Sequence, residues 1–226
     1  MMIPNHHPIN PDGLVLWLDY LNTGSVAATG TWKDYSGLGN DGTLVADAYV
    51  NPSGLNLDGA GDYVLLPDAV TATFGTDISY EICFNATSLT NRDYFFALGA
   101  YTTGDAGVYL RYEAVGGIRF AVRTATSADV TQHYNPGLTA GTWTTLGGTA
   151  SLTQKTTYVN GVFSEATNYS MSGSFYNPAP AKSNTVGVDH IKANYYFDGA
   201  IKYLRIYNRL LSPGEFMQNY QRTLIA

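Results

Sequence analysis

Short runs of alternating apolar residues recur along the whole chain, separated by clusters of Gly, Asn, Asp and Pro. This pattern has the two-residue period of a half-buried strand, and helical periodicity is nearly absent until the C-terminus. Such strands can bury their apolar faces only when sheets stack on each other. We therefore expect an all-β protein, and 226 residues suffice for one large sandwich with a well-buried core.

No repeat, charge block or low-complexity linker divides the sequence, so we predict one domain over residues 13–226 and an N-terminal arm over residues 1–12. Strands are predicted at Leu14–Tyr20, Gly54–Leu57, Tyr63–Leu66, Ile78–Asn85, Tyr94–Ala100, Val108–Ala114, Ile118–Thr124, Thr142–Ala150, Lys155–Val159, Val162–Glu165, Thr185–Val188 and Phe197–Tyr207.

Two hairpins can be predicted from their turn residues. Asn160-Gly161 favours the positive φ angles of a type I′ turn, which places Tyr158 opposite Phe163. The second hairpin contains Gly116-Gly117, and a two-residue turn there would mix apolar and charged side chains on one face. A three-residue turn instead pairs Ala114 with Ile118 and makes Gly117 left-handed at a bulge.

That second register predicts an apolar face and a polar face on the same two strands. The apolar face consists of Val108, Leu110, Tyr112, Ile118, Phe120 and Val122. The polar face consists of Tyr109, Arg111, Glu113, Arg119 and Arg123.

One short helix is predicted near the C-terminus, from about Pro213 to Tyr220. Ser212 fits the N-cap, Pro213 fits the first helical position, and Glu215 completes a Ser-x-x-Glu capping box. Leu211 and Phe216 have the spacing of a hydrophobic staple.

Charge and cysteine content exclude several classes. The net charge of −6 argues against nucleic acid as a partner, because phosphate binding needs a dense basic patch. The single Cys83 leaves no intrachain disulfide, and its mid-strand position predicts a buried, inert thiol. No apolar run is long enough for membrane insertion, and no basic, apolar leader is evident at the N-terminus.

Several segments in order resemble the laminin-G-like jelly roll of the concanavalin A-like lectin/glucanase superfamily. They are GLVLWLDY, KDYSGLGNDGTL, LNLDGAGDYVLLPD, DISYEICFNATSL, TYVNGV and YYFDGAIKYLRIYNRLLSPGEFMQNYQ, and together they cover roughly residues 13–221. The sequence departs from the family pattern at Cys83, where Trp is usual, and at Lys202 and Tyr203, which replace an acidic pair.

The resemblance implies a two-sheet antiparallel jelly-roll sandwich with one concave sheet and a short C-terminal helix. It leaves function open, since members of the family bind sugars or proteins and related enzymes cleave glycans. Related glucanases carry Glu-x-Asp-x-x-Glu on one strand, which is absent here. The four glutamates, Glu81, Glu113, Glu165 and Glu215, fall on separate elements. We therefore expect no enzymatic activity.

The loop from Trp32 to Leu44 permits two interpretations. Asp34, Asn40 and Asp41, with Asp198 brought near by pairing of the first and last strands, could supply oxygen ligands to calcium. Alternatively, the short polar side chains bond to their own backbone in turns that the glycines permit. We expect a primarily structural loop and keep calcium as a candidate cofactor.

A candidate ligand-binding surface is the polar face carrying Tyr109, Arg111, Arg119 and Arg123. Arginine offers paired hydrogen bonds to carboxylate or sulfate, and tyrosine can stack on a sugar, so an acidic glycan would suit this face. The alternatives are a solvated strand face with a Glu113–Arg119 ion pair, or a flat contact with a protein partner.

The sequence thus predicts a non-enzymatic binding or structural module. Because a jelly roll without an export signal suits a particle released by lysis, we expect a bacteriophage virion-associated protein. It would decorate the capsid or tail and touch virion structural proteins or host-surface glycans. Both a monomer and an oligomer are compatible with the sequence. The alternatives are a carbohydrate-binding adhesion module at the cell surface or outside the cell, and a glycan hydrolase.

Overall fold

The computed structural model describes residues 9–20, 30–90, 92–99, 106–176 and 183–224. Within them the chain is all-β, as predicted, with two short helices. The strands are β1 Leu14–Asp19, β2 Thr31–Trp32, β3 Gly42–Val45, β4 Tyr49–Asn51, β5 Gly54–Asp58, β6 Tyr63–Leu66, β7 Ile78–Ala86, β8 Tyr94–Gly99, β9 Gly107–Glu113, β10 Gly117–Thr124, β11 Ser127–Tyr134, β12 Thr144–Ala150, β13 Gln154–Val159, β14 Val162–Asn168, β15 Asn184–Val186 and β16 Asp198–Tyr207. The helices are α1 Ala69–Ala72 and α2 Pro213–Thr223.

The strands form two antiparallel sheets that stack as a jelly-roll-like sandwich. Sheet A has the order β14-β13-β12-β7-β16-β5-β4, and β1 also pairs with β16. Sheet B has the order β11-β10-β9-β8-β15-β6-β3-β2. Neither helix in the described part of the chain is long and apolar enough to cross a membrane.

Alternating side chains from both sheets fill the core. Phe84 and Leu204 of sheet A and Phe96 and Phe120 of sheet B are among its members, and each is at most 2% exposed. Cys83 points away from this core and is nevertheless buried, as predicted. Since intervening residues face outward along each strand, each sheet also has an outer face, and these outer faces carry the polar chemistry.

The Asn160-Gly161 hairpin is confirmed. Tyr158 lies opposite Phe163 and Val159 opposite Val162, and both turn residues have positive φ, 50° for Asn160 and 76° for Gly161. These are the backbone angles that a type I′ turn requires.

The Gly116-Gly117 hairpin has the predicted faces but not the predicted pairing. Ile118 lies opposite Tyr112, not Ala114, because Gly117 joins the ladder opposite Glu113. Gly117 is left-handed, with φ 78°, and a Cβ atom there would lie 2.6 Å from the carbonyl oxygen of Tyr134 on β11. Glycine at this position therefore allows β11 to approach closely. The sequence did not predict this contact.

The C-terminal helix begins as predicted and extends to Thr223. Ser212 accepts a hydrogen bond from the Glu215 backbone, and the Glu215 side chain accepts one from the Ser212 backbone, which completes the capping box. Leu211 and Phe216 are both buried in a small cluster with Tyr158 and Tyr207. The helix therefore covers one end of the outer face of sheet A.

Candidate ligand-binding face

The predicted polar face lies on the outer side of sheet B. Tyr94 of β8 and Tyr109 of β9 form a small cluster there, separate from the main core, with Ala97 and Ala121. We use the name tyrosine–arginine face for this surface, defined by residues of β8, β9, β10 and the loops beside them. Its members are Arg92, Tyr94, Tyr109, Arg111, Glu113, Arg119 and Tyr195.

Arg111 is the centre of this face and is almost fully buried, at 8% exposure. Its Nη1 donates to the Tyr94 hydroxyl at 2.7 Å, and its Nε donates to Glu113 Oε1 at 2.8 Å. The guanidinium also lies 5.2 Å from the ring centres of both Tyr94 and Tyr109. Arg111 therefore holds the two tyrosine rings in place, and its donors are largely used inside the protein.

Arg119 lies directly opposite Arg111 and is more open to solvent. Its Nη1 is 3.4 Å from Glu113 Oε1, and its side chain is 24% exposed. Burial alone would raise the pKa of Glu113, but hydrogen bonds and charges from both arginines outweigh burial, so this pKa is lowered. Glu113 is thus held ionised between the positive charges of Arg111 and Arg119. Of these two arginines, Arg119 is the more exposed and can reach a ligand.

Tyr195 and Arg92 extend the face into the adjoining loops. The Arg92 Nη1 donates to the Tyr195 hydroxyl at 2.9 Å, and the Tyr195 ring stacks on Tyr94 at 6.3 Å between centres. Both residues have positive φ, 63° for Tyr195 and 74° for Arg92, which is uncommon for residues other than glycine. Tyr195 is 39% exposed, so it presents an aromatic ring to solvent.

The structure brings together three of the four residues predicted for this site. Tyr109, Arg111 and Arg119 are neighbours, whereas Arg123 lies opposite Gly107, four residues along β10 and roughly 13 Å from Arg119 at the strand rise. His133 of β11 lies opposite Arg119, and burial together with the charge of Arg119 lowers its pKa. His133 therefore borders the face as a neutral side chain near pH 7.

The predicted calcium loop is organised around Asp34. Its Oδ1 accepts hydrogen bonds from the backbone N–H groups of Trp17 and Ser36, and its Oδ2 accepts from the Ser36 hydroxyl and the Asn40 backbone, all at 2.7–2.9 Å. Asn40 donates its side-chain amide to the Val15 carbonyl at 2.9 Å. A carboxylate offers about four lone-pair sites, and those of Asp34 are all used. This geometry favours the structural interpretation, in which the loop anchors β2 and β3 to β1.

The other two predicted calcium ligands are Asp41, which is engaged by residues of the same loop, and Asp198, which lies far from it. Asp41 accepts from the Asp34 backbone at 2.9 Å and pairs with Lys33 at 2.7 Å. Asp198 lies opposite Asp58, whereas Asp34 bridges to Leu18, which is opposite Leu204. Six residues of β16, roughly 20 Å, therefore separate Asp198 from the loop. The four residues do not form one site, and calcium binding stays a prediction.

Metal-binding clusters are absent from the described ranges: no three His, Cys, Asp or Glu side chains there could hold an ion.

Sequence reasoning missed Tyr94, Arg92 and Tyr195 as members of the face. Tyr94 lies in a predicted strand, but a register irregularity between Tyr94 and Phe96 breaks the alternation that would have assigned its face. Arg92 and Tyr195 lie in loops that only the folded chain brings together. The aromatic pair Tyr195-Tyr196 just before the last strand was the one local signal available.

Comparison with known proteins is consistent with this architecture. Residues 58–216 match the family model described as the concanavalin A-like lectin/glucanases superfamily. No curated protein sequence shows a significant match.

Similar solved structures include domain 4 of AbnA, a GH43 extracellular arabinanase from Geobacillus stearothermophilus, in complex with arabinotriose. The two chains are 19% identical with a TM-score of 0.67, and the alignment covers 91% of this chain and 97% of that domain. Another is a Trypanosoma rangeli sialidase bound to a difluorinated KDN, 18% identical with a TM-score of 0.68. The alignment covers 99% of this chain and 36% of the sialidase, so the chain spans about a third of that enzyme. At these identities the likeness shows the fold alone.

Proposed function

This chain belongs to the concanavalin A-like lectin/glucanase superfamily, and on that premise we propose that it is a carbohydrate-binding module that does not cleave its ligand. The observation that carries the proposal is the tyrosine–arginine face. There, the exposed ring of Tyr195 lies beside the Arg92 guanidinium, and Arg119 is partly open on the same face. An aromatic ring can cover the apolar side of a sugar while guanidinium donors bind its oxygens.

The charge of the face favours an acidic glycan. Arg92, Arg111 and Arg119 carry three positive charges, and Glu113 is the one carboxylate among the residues that define the face. A sialate, uronate or sulfate group would meet this surplus of positive charge. The saccharides bound in the similar structures, arabinotriose and a difluorinated KDN, are consistent with carbohydrate as the ligand class.

The positions of the four glutamates support binding without catalysis. Glu81 accepts a hydrogen bond from Asn219 under α2, and Glu113 is paired with Arg111. Glu165 accepts from Gln132, and Glu215 caps α2. Each carboxylate therefore has a structural partner, whereas glycoside hydrolysis needs two carboxyl groups facing one glycosidic bond.

A glycan array followed by calorimetry tests the proposal. We expect the full chain to bind sialylated, uronate-containing or sulfated glycans, with sialyllactose as the soluble probe. Arg119→Ala and Tyr195→Ala should each weaken binding roughly tenfold, equivalent to about 1.4 kcal/mol. Lys33→Ala, which removes an exposed cation outside the face, should leave the affinity unchanged. Binding should weaken as salt is raised, because exposed charges are screened.

Absence of binding to every acidic glycan on the array would refute the proposed ligand class. A hydrolase would instead release reducing sugar from a bound glycan. The register places Asp58 opposite Asp198, so Asp58→Asn is the variant that should abolish such turnover if it occurs. We expect no turnover by the wild-type chain.

The virion location, the partner proteins and the oligomeric state stay predictions from the sequence. The fold and the comparisons do not favour the virion role over a cell-surface or extracellular one.

A further inference from the structure

A cleft of about 460 Å³ opens on the outer face of sheet A, on the opposite side of the sandwich from the tyrosine–arginine face. Its volume lies within the range of about 300–1,000 Å³ that is typical of small-molecule sites. The residues that matter for its chemistry are Tyr49, Asn56, Asp58, Asn85, Thr87 and Ala200.

Four adjacent strands place one row of side chains across this cleft. Tyr49 of β4 lies opposite Asn56 of β5, Asn56 lies opposite Ala200 of β16, and Ala200 lies opposite Asn85 of β7. Directly opposite residues of antiparallel strands share a face, and neighbouring strands are about 4.8 Å apart. The row therefore runs roughly 14 Å, with an aromatic ring at one end and an amide at the other.

The groups in this row are available to a ligand. Tyr49 is 52% exposed, so its ring can accept a stacked partner. Asn56 donates one amide hydrogen to the Gly54 carbonyl at 2.8 Å, and no donor among the described residues binds its side-chain oxygen. Within the part of the chain that the structure describes, no hydrogen bond engages the side-chain amide of Asn85.

Small residues of β16 keep the floor of the cleft low. Ala200 lies between the two asparagines and projects only a methyl group. The adjacent Gly199 has no side chain, and a Cβ atom there would lie 2.3 Å from the Asn85 carbonyl oxygen, so glycine allows β16 and β7 to approach closely beside the cleft. The two amides are therefore separated by a shallow gap instead of being bridged by a side chain.

The charge of the cleft selects among sugars. Its lining contains the carboxylates Asp58 and Asp62 and no Lys or Arg. An acidic sugar would be repelled, whereas a neutral sugar could give hydroxyl hydrogen bonds to the amides and to Asp58 while covering the Tyr49 ring. We propose that this cleft is a second saccharide site, specific for neutral sugar units. The inference does not rest on ligand binding by the tyrosine–arginine face.

Heteronuclear NMR of the labelled full chain tests the inference through the side-chain amide signals of Asn56 and Asn85. The probes are arabinotriose, xylotriose, cellotriose, maltotriose and lactose, with sialyllactose as the acidic comparison. We expect at least one neutral probe to shift the Asn85 amide signal in a saturable way. Tyr49→Ala should weaken that binding roughly tenfold, and Tyr49→Phe should preserve most of it because the ring is retained.

Two controls separate this site from the other face. Tyr176→Ala removes a tyrosine that is 40% exposed and lines neither site, so it should not change neutral-sugar binding. Arg119→Ala should weaken sialyllactose binding and leave the neutral-sugar shift of Asn85 intact. Failure of all neutral probes to shift the Asn56 and Asn85 signals, or shifts unaffected by Tyr49→Ala, would overturn the inference.

Discussion

The outer faces of the two sheets each carry an arginine in contact with a tyrosine and a glutamate, but a helix covers only the set on sheet A. On sheet A, Arg205 lies 3.9 Å from the ring centre of Tyr203 and 3.6 Å from Glu81, beneath α2. On sheet B, Arg111 lies against Tyr94 and Glu113 without a covering helix among the described elements. The side chain of Arg205 is 3% exposed, against 10% for Arg111 and 24% for its neighbour Arg119.

This difference in burial gives the two glutamates opposite pKa shifts. Burial raises the pKa of Glu81 to about 7, although Arg205 and Asn219 act against it. At Glu113 the arginines outweigh burial and the pKa is lowered. One arginine serves two carboxylates at the covered site, Glu81 and Asp19, whereas two arginines share one carboxylate at the open site. The same residue types thus form a structural network in one place and a positively charged surface in the other.

The largest expected effect comes from Arg205→Met. The substitution leaves Glu81 and Asp19 without their buried cation, and breaking a buried ion pair in this way costs about 3–5 kcal/mol. Urea denaturation of the variant and the wild type measures the loss. A loss below about 1 kcal/mol would show that the covered network is not a tightly coupled charge cluster.

The second-largest expected effect is the contribution of Glu81 to the pH dependence of stability. Its pKa is raised from 4.5 to about 7 on folding, so its contribution is present below pH 4.5 and is lost as the pH rises through 7. The free energy of unfolding of wild type should therefore fall relative to Glu81→Gln between pH 5 and 8, by up to about 3 kcal/mol. Urea denaturation of the wild type and of Glu81→Gln at each pH measures this difference in the free energy of unfolding. The titration of groups shared by the two proteins cancels in the difference. A flat difference would contradict a raised pKa.

Arg111→Met should destabilise the protein by about 2 kcal/mol, less than Arg205→Met. The variant loses hydrogen bonds to Tyr94 and Glu113, but Arg119 and solvent still reach Glu113. Arg119→Met is the matched control and should cost less again, because Arg119 makes one long contact with Glu113. Equal losses for Arg111→Met and Arg205→Met would show that the covering helix does not set the difference.

Ser212→Ala should have the smallest effect, about 1 kcal/mol, through loss of the N-cap of the helix that covers sheet A. Thermal unfolding measures the loss, and hydrogen exchange should show faster opening of α2 than of β9 and β10. Ser212→Asp, which retains an N-cap acceptor, should recover most of the stability.

Several elements could be predicted because their signals are local. The Asn160-Gly161 turn and the Ser212 capping box each depend on a few adjacent residues, and the structure confirms both. The faces of β9 and β10 were correct despite a shifted pairing, because a shift of two residues in a hairpin preserves which side chains lie together. Strand β11, SADVTQHY, was missed because it is an edge strand with few apolar residues.

The candidate sites, by contrast, depend on contacts between residues that are distant in the sequence. The sequence identified Asp34, with Asn40 and Asp41, as a candidate residue of its loop, but whether the Asp34 oxygens were free depended on Trp17, which lies on another strand. No sequence pattern indicates that the Asn85 amide and the Tyr49 ring lie near each other. Three strand pairings bring them into one row.

By itself, the sequence determined the all-β class, the Asn160-Gly161 turn and the capped helix, since two-residue alternation and turn chemistry act between residues close in the chain. Only the tertiary structure decided which arginine is covered and which is exposed, because burial depends on where α2 packs. It likewise decided the opposite pKa directions of Glu81 and Glu113 and the position of the cleft. These properties arise from contacts between distant segments, and such contacts leave no periodic pattern in the chain.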